Sequence, residues 1–242
     1  MQKNVFLKSV CNLAIPVAMQ SMLQSSFSIV DQIMIGQLGS ISVAGVGLAG
    51  KFSSIYTVLI SAIGAVAGIM IAQYLGQKNK QEIHRSFWIN LWIGLGLAAI
   101  FTGVCGLFPV KIMGMYTTDT DTMMAAGEYL KIVSGTFLPV AGATLLATLF
   151  RCMEKTNLPL IASVVAASLN TGLNYILIFG KFGFHAMGAE GAAIATLISQ
   201  IANFIIMLIL LFMNKECLEK IHGKRDRKAS FQWRQYASML LP

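Results

Sequence analysis

The chain is short of charge. Asp, Glu, Lys and Arg make up only 12% of its 242 residues, and only 10 of these are acids. Soluble domains carry about 25% charged residues, so this composition excludes an ordinary water-facing domain. Histidine is nearly absent, at three residues (His84, His185 and His222), and the four cysteines (Cys11, Cys105, Cys152 and Cys217) are scattered without ligand spacing. Neither a zinc or copper site nor a disulfide framework can be drawn from them. No Ser/His/Asp or Cys/His arrangement and no pair of catalytic carboxylates occurs. Gly36-Gln37-Leu38-Gly39 follows a helical pattern instead of a strand, so it is not a phosphate loop. An enzyme is not expected, and no cofactor is implied. The first apolar stretch lacks a small-residue cleavage motif, which argues against a removable signal peptide.

What the chain has is apolar length. Hydrophobic residues make up 56% of it, and Gly (22) and Met (14) suit closely packed membrane helices. Six stretches reach the ~20 residues needed to cross about 30 Å of hydrocarbon. They lie at about 10–36, 46–75, 86–108, 124–150, 158–180 and 188–213. The partner implied is a lipid bilayer. The formal charge of +8 does not imply nucleic acid, because the basic residues alternate between loops. Lys3 and Lys8 precede the first span, and Lys78, Lys80 and Arg85 lie between the second and third. Arg151 and Lys155 lie between the fourth and fifth, and Lys215, Lys220, Lys224, Arg225, Arg227, Lys228 and Arg234 follow the sixth. Lys51, Lys111, Lys131 and Lys181 are left for the other side. The positive-inside rule then predicts a multi-pass protein of the cell (inner or plasma) membrane with both termini in the cytoplasm.

One residue stands out against this background. Asp31 lies inside the first apolar stretch, where a carboxylate costs roughly 2.5–3.5 kcal/mol on insertion scales. Pro16, Gln20, Gln24, Ser28 and Asp31 recur at intervals of three or four residues and fall on one helical stripe. That stripe reads as the wall of a polar cavity. The fifth span adds Ser163, Asn170 and Asn174 on one face, and the sixth adds Thr196, Ser199, Gln200 and Asn203. A carboxylate, carboxamides and hydroxyls are hard oxygen donors, suited to protons, hydrated organic cations or a light metal cation. The bland alternative for the amides is hydrogen bonding between helices, at about 0.6 kcal/mol each. Gln20, Gln24, Ser28, Ser163, Gln200 and Asn203 are expected to line a substrate cavity. Pro16 and Pro139 lie within spans and are expected to bend them, either statically or as hinges. On the second span Ser54, Thr57, Ser61, Ala65, Gly68 and Ala72 form a small-residue face, expected to pack against another helix. Glu128 and Lys131 are spaced to pair at the interface, and Trp88 and Trp92 to anchor there.

After the sixth span the chain turns basic and polar, and Met239-Leu240-Leu241-Pro242 echoes Leu13-Ala14-Ile15-Pro16. The expected organisation is a six-helix lobe over 1–213 and a basic cytoplasmic linker over 214–242, leading to a second six-helix lobe.

Several runs together resemble a known family. Ile15-Pro16 with Asp31-Gln32-Ile33-Met34-Ile35-Gly36-Gln37-Leu38-Gly39 is similar to the first helix and loop of the MATE (multidrug and toxic compound extrusion) transporters. Ala72-Gln73-Tyr74-Leu75-Gly76-Gln77 resembles the end of their second helix, and Arg151-Cys152-Met153-Glu154-Lys155-Thr156-Asn157-Leu158-Pro159 the loop before their fifth. Asn170, Asn174-Tyr175-Ile176-Leu177-Ile178-Phe179-Gly180 and Gly188-Ala189-Glu190-Gly191-Ala192-Ala193-Ile194-Ala195-Thr196 resemble the fifth and sixth helices. The resemblance implies an all-α membrane protein whose six transmembrane helices form one lobe of a two-lobe, twelve-helix transporter. It implies a secondary active antiporter that exports cationic or amphipathic drugs in exchange for H+ or Na+. Asp31, Asn170 and Thr196 match the family's proton or cation site, and Asn174 stands where many relatives carry Asp. If the ion is sodium, Asp31, Asn170, Asn174 and Thr196 are the expected ligands. Alternatives are a lipid-linked precursor flippase of similar fold, disfavoured by the few basic residues within the spans, and a non-transporting membrane scaffold.

Overall fold

The computed structural model describes residues 2–215, 217 and 219. Apolar side chains favour burial in lipid or against one another, and a backbone inside hydrocarbon must satisfy its own polar groups. The described residues accordingly form helices and short turns, with no strand among them. The helices are α1 (Gln2–Gly36), α2 (Ser40–Gly76), α3 (Lys80–Leu107), α4 (Pro109–Met113), α5 (Thr120–Val133), α6 (Phe137–Cys152), α7 (Asn157–Phe179) and α8 (Gly188–Met213). A 3-10 turn, Ser134–Thr136, joins α5 to α6 into one broken rod. Among the described residues, α2, α3, the α5–α6 rod, α7 and α8 are each long and apolar enough to cross a membrane. With α1 they make six rods, so the fold is a six-helix membrane lobe.

Each expected span falls on a rod, but the loops are shorter than composition suggested. The connection expected over Gly36–Gly45 shrinks to Gln37–Gly39, because the glycine-rich start of the second span is already helical. Gly39, at φ 96°, makes the turn possible. The loop expected over Pro109–Met123 contains α4, which starts on Pro109 at its first position, where a missing N–H costs nothing. Polar caps fix the ends outside the membrane. Asn79 accepts from the Glu82 N–H at 3.3 Å to start α3, and Asp119 accepts from the Thr122 N–H at 3.0 Å to start α5. The hydrogen bonds from Thr122 hold the Asp119 carboxyl below the usual carboxylate range.

Pro139 lies just past an interruption of its span. It has no N–H for the Gly135 carbonyl, and the rod breaks into its 3-10 turn just before it. Neighbours secure the break: Thr102 donates to the Ser134 carbonyl at 3.0 Å, and Tyr56 donates to the Phe137 carbonyl at 2.6 Å. Pro16, by contrast, sits within a continuous α1.

Apolar packing forms two large layers and a small cluster of Ile35, Ile178 and Ala192. One layer joins α2, α3 and α6 through Ile71, Phe87, Leu145, Leu149 and Phe150; the other joins α2, α3, α5 and α6 through Tyr56, Ile60, Ala98, Leu130 and Phe137. The most extensive pairing of helices is α7 against α8, and α1 lies chiefly along α7. The α7–α8 hairpin depends on glycine. Gly180 closes α7 at φ 65°, where a Cβ would stand 2.6 Å from the Ala186 nitrogen, and a Cβ at Gly191 would stand 2.8 Å from the Leu177 carbonyl.

Two expectations fail. On the second span, Ser54, Thr57, Ser61, Ala65 and Ala72 are exposed, and of the expected face only Gly68 packs closely, against Thr148 and Cys152 of α6; the buried face of α2 carries Gly45, Ala49, Tyr56, Ile60, Gly64, Ala67 and Ile71. The interior face mixes Gly and Ala, where helices approach closely, with Tyr56, Ile60 and Ile71, which have apolar area to bury. Among the described residues no ion pair joins Glu128 to Lys131, both exposed, whereas Arg85 and Glu82 approach to 3.8 Å. Trp88 and Trp92 are exposed on α3, at 37% and 67%. The linker expected over 214–242 lies largely outside the described residues.

Candidate functional site

The site is assembled where α1 lies on α7 and α8. Helical spacing puts Asp31 on the face of α1 that meets α7, and Asn170 and Asn174, one turn apart, reach it from α7. Asn174 Nδ2 donates to Asp31 Oδ1 at 2.7 Å, the shortest bond in the cluster. Asn174 is only 1% exposed, Asn170 8%, and Asp31 is half-buried.

The Asn170 amide is better satisfied in one of its two settings. With its nitrogen toward the acid it donates to both Asp31 oxygens, at 2.9 and 3.1 Å. Turned over, its nitrogen donates to the Thr196 and Ser199 hydroxyls at 3.4 Å each, and its oxygen accepts from Asn174 at 3.2 Å and stands against the carboxylate. The Thr196 and Ser199 hydroxyls themselves donate to backbone carbonyls on α8, which fixes both side chains. Among the described residues no Lys, Arg or His forms an ion pair with Asp31. Among the described residues the carboxylate is held by the Asn174 and Asn170 amides.

Two cavities meet at this cluster. The smaller, about 280 Å³, is lined by Gln24, Phe27, Ser28, Asp31, Ser163, Ala166, Ala167, Asn170, Thr196, Ser199, Gln200 and Asn203. The larger, about 710 Å³, opens between α1 and α2 and shares Ser28, Asp31 and Thr196 with the first. Ligand pockets run about 300–1,000 Å³. By that measure the larger cavity admits a drug-sized molecule, and the smaller suits an ion with a few waters. Two buried oxygens near the site have no hydrogen-bond partner, Asn174 Oδ1 and Asn203 Oδ1. Buried acceptors are normally satisfied, so each marks a place where a cation, a proton donor or water fits.

The structure gathers most of the residues expected from sequence. Asp31, Asn170, Asn174 and Thr196 form one cluster, and Gln24, Ser28, Ser163, Gln200 and Asn203 line the smaller cavity beside it. Gln20 takes a different place. It is buried at 7%, donates to Ser163 Oγ at 2.7 Å and accepts from Arg151 Nη2 at 3.2 Å. It therefore ties α1 to α7 and to the end of α6. Pro16 stands one turn before it on the same stripe.

Two residues escaped the sequence reading. Tyr129 of α5 brings its hydroxyl against Thr196, lies within electrostatic reach of Asp31 and lines the larger cavity. Nothing in the spacing of α5 distinguishes it from an interfacial tyrosine. Lys51 of α2 lines the same cavity. The charge pattern counted it with the basic residues on the other side of the membrane, although it falls within the expected span 46–75, where a lysine is as unusual as an acid.

The fold and site together define a polytopic α-helical membrane protein with an acid-centred polar cavity. The MatE family model matches residues 16–176, and the chain belongs to that family. It is 27% identical over 209 residues to a protein from Thermotoga maritima described as probable multidrug resistance protein NorM, covering 86% of this chain and 45% of that one. It is 24% identical over 217 residues to the uncharacterized transporter YisQ of Bacillus subtilis, covering 90% and 47%. The fold matches a MOP superfamily transporter from Pyrococcus furiosus with a TM-score of 0.78 at 21% identity, over 89% of this chain and 50% of that one. It also matches a MATE structure in a bent conformation, with a TM-score of 0.76 at 22% identity, again over 89% and 50%. The chain spans about half the length of the relatives it matches.

Proposed function

We propose that this lobe works in a secondary active antiporter that exports cationic or amphipathic compounds in exchange for H+ or Na+, with a second six-helix lobe completing the transport path. The observation that carries this reading is the Asp31 carboxylate at the junction of the two cavities, held by Asn170 and Asn174 with no basic partner among the described residues. A permanent ion pair would fix its charge. Amides leave it free to exchange one neutralising partner for another.

Asn170 suits that exchange. With its nitrogen toward Asp31 it stabilises the bare carboxylate; with its oxygen toward Asp31 it accepts from a protonated acid or joins it as a sodium ligand. Asn174 Oδ1 and Thr196 Oγ1 complete an oxygen set for sodium, and Tyr129 supports Thr196. The smaller cavity takes the ion and its waters, and the larger one takes the body of the exported compound. Neutralising Asp31 removes the charge that holds a cationic substrate. It also shifts α1, whose Pro16 lacks one helix bond, towards the state that releases it. The ion can bias that equilibrium only through its different affinity for the two states.

The experiment is ion-gradient-driven efflux from vesicles containing the full-length protein with Asp31→Asn. A charge-assisted contact is worth about 1.5–3 kcal/mol, so coupled export is expected to fall roughly tenfold or more. Coupled export at the wild-type rate would overturn the reading.

A further inference from the structure

The larger cavity carries a second charge of opposite sign. Lys51 and Asp31 both line it, one from α2 and one from α1, and form no ion pair with each other. Among the described residues no acid pairs with Lys51, and its side chain is exposed. Around the two charges stand the polar groups of Gln32, Ser54 and Tyr129 and an apolar wall of Ile35, Val43 and Val46. The α2 wall beside Lys51 is low. A Cβ at Gly47 or Gly50 would meet nothing within 4 Å, so a ligand can lie against the backbone there.

Resting on the reading of Asp31 above, we propose that Lys51 is an anion-recognising group of the substrate cavity, and that the preferred ligands are amphoteric: an apolar body with a cationic group for Asp31 and a carboxylate-type group for Lys51. Two opposite charges exposed to one chamber attract a dipolar molecule at both ends. A simple cation meets attraction at Asp31 and repulsion from Lys51, so it gains less. The span between the charges sets a length requirement as well as a charge requirement. A lysine contributes a point charge on a flexible stem, which suits carboxylates of varied placement.

A matched pair of dyes tests this: a zwitterionic rhodamine with a free carboxylate, and its ethyl ester, which keeps the same aromatic cation. Binding of each to the purified full-length protein is followed by fluorescence polarisation, and efflux of each by vesicle assay. The wild type is expected to bind the zwitterion at least fivefold more tightly than the ester. Lys51→Gln is expected to abolish that preference by weakening zwitterion binding while leaving ester binding equal or tighter, and Lys51→Glu to reverse it. Equal binding of the two dyes by the wild type would overturn the proposal, as would equal weakening of both by Lys51→Gln. Lys51-dependent zwitterion binding without efflux of either dye would support this assignment while overturning the antiporter reading.

Discussion

At the residue scale, the account rests on how a carboxylate is tolerated inside an apolar lobe. Asp31 was legible in the sequence because its cost is large against a background with few charges. Its partners were legible because helical spacing puts Asn170 and Asn174 one turn apart. The donor roles were not legible. Only the packing of α1 on α7 decides that Asn174, at 2.7 Å, is the principal donor to the carboxylate. It follows that Asn174→Ala should weaken ion-dependent substrate release about tenfold, the equivalent of one charge-assisted hydrogen bond. The variant should remain folded, since the amide is not part of either apolar layer. Ion titration of dye release from the full-length protein checks this; an unchanged titration would assign the role to Asn170 alone. Tyr129 could not have been found from spacing, because its value lies in where α5 meets α8. Lys51 could have been found by applying to lysine the reasoning applied to Asp31.

At the element scale, six apolar stretches became six rods, because length and hydropathy are properties of single segments. The face a helix buries is a property of its neighbours, and there the sequence misled. The small-residue stripe of α2 suggested close packing, but the interior face mixes Gly and Ala with Tyr56 and Ile60, and of the stripe only Gly68 packs closely. The break before Pro139 was readable, since a missing N–H acts locally. The α7–α8 hairpin offers a clean test of local geometry. Gly180 holds a left-handed conformation and has the Ala186 backbone 2.6 Å from where a Cβ would be. Strain of this kind costs of order 1–3 kcal/mol. Gly180→Ala is therefore expected to lower the unfolding free energy by about that amount in detergent, measured by thermal or denaturant unfolding. Stability equal to wild type would show that the hairpin relaxes without cost.

At the scale of the whole molecule, the lobe presents an exposed α2 stripe and an open cavity on the same helix, beside a charged pair that no described residue neutralises. The chain spans about half the length of its relatives, and its polar cavity is reached between α1 and α2; in the proposed antiporter a second lobe walls the far side. The expectation of cytoplasmic termini, drawn from the alternation of basic residues, would put the 181–187 connection on the outer face. In the proposed antiporter the essential event is small: one acid trades its bare form for a neutralised one, and the helices respond. Infrared difference spectroscopy of the full-length protein in lipid, with and without saturating coupling ion, reads that event directly. The account predicts a carboxylate band that changes on ion binding in the wild type and is missing from the Asp31→Asn difference spectrum. An identical band change in the Asp31→Asn protein would contradict it.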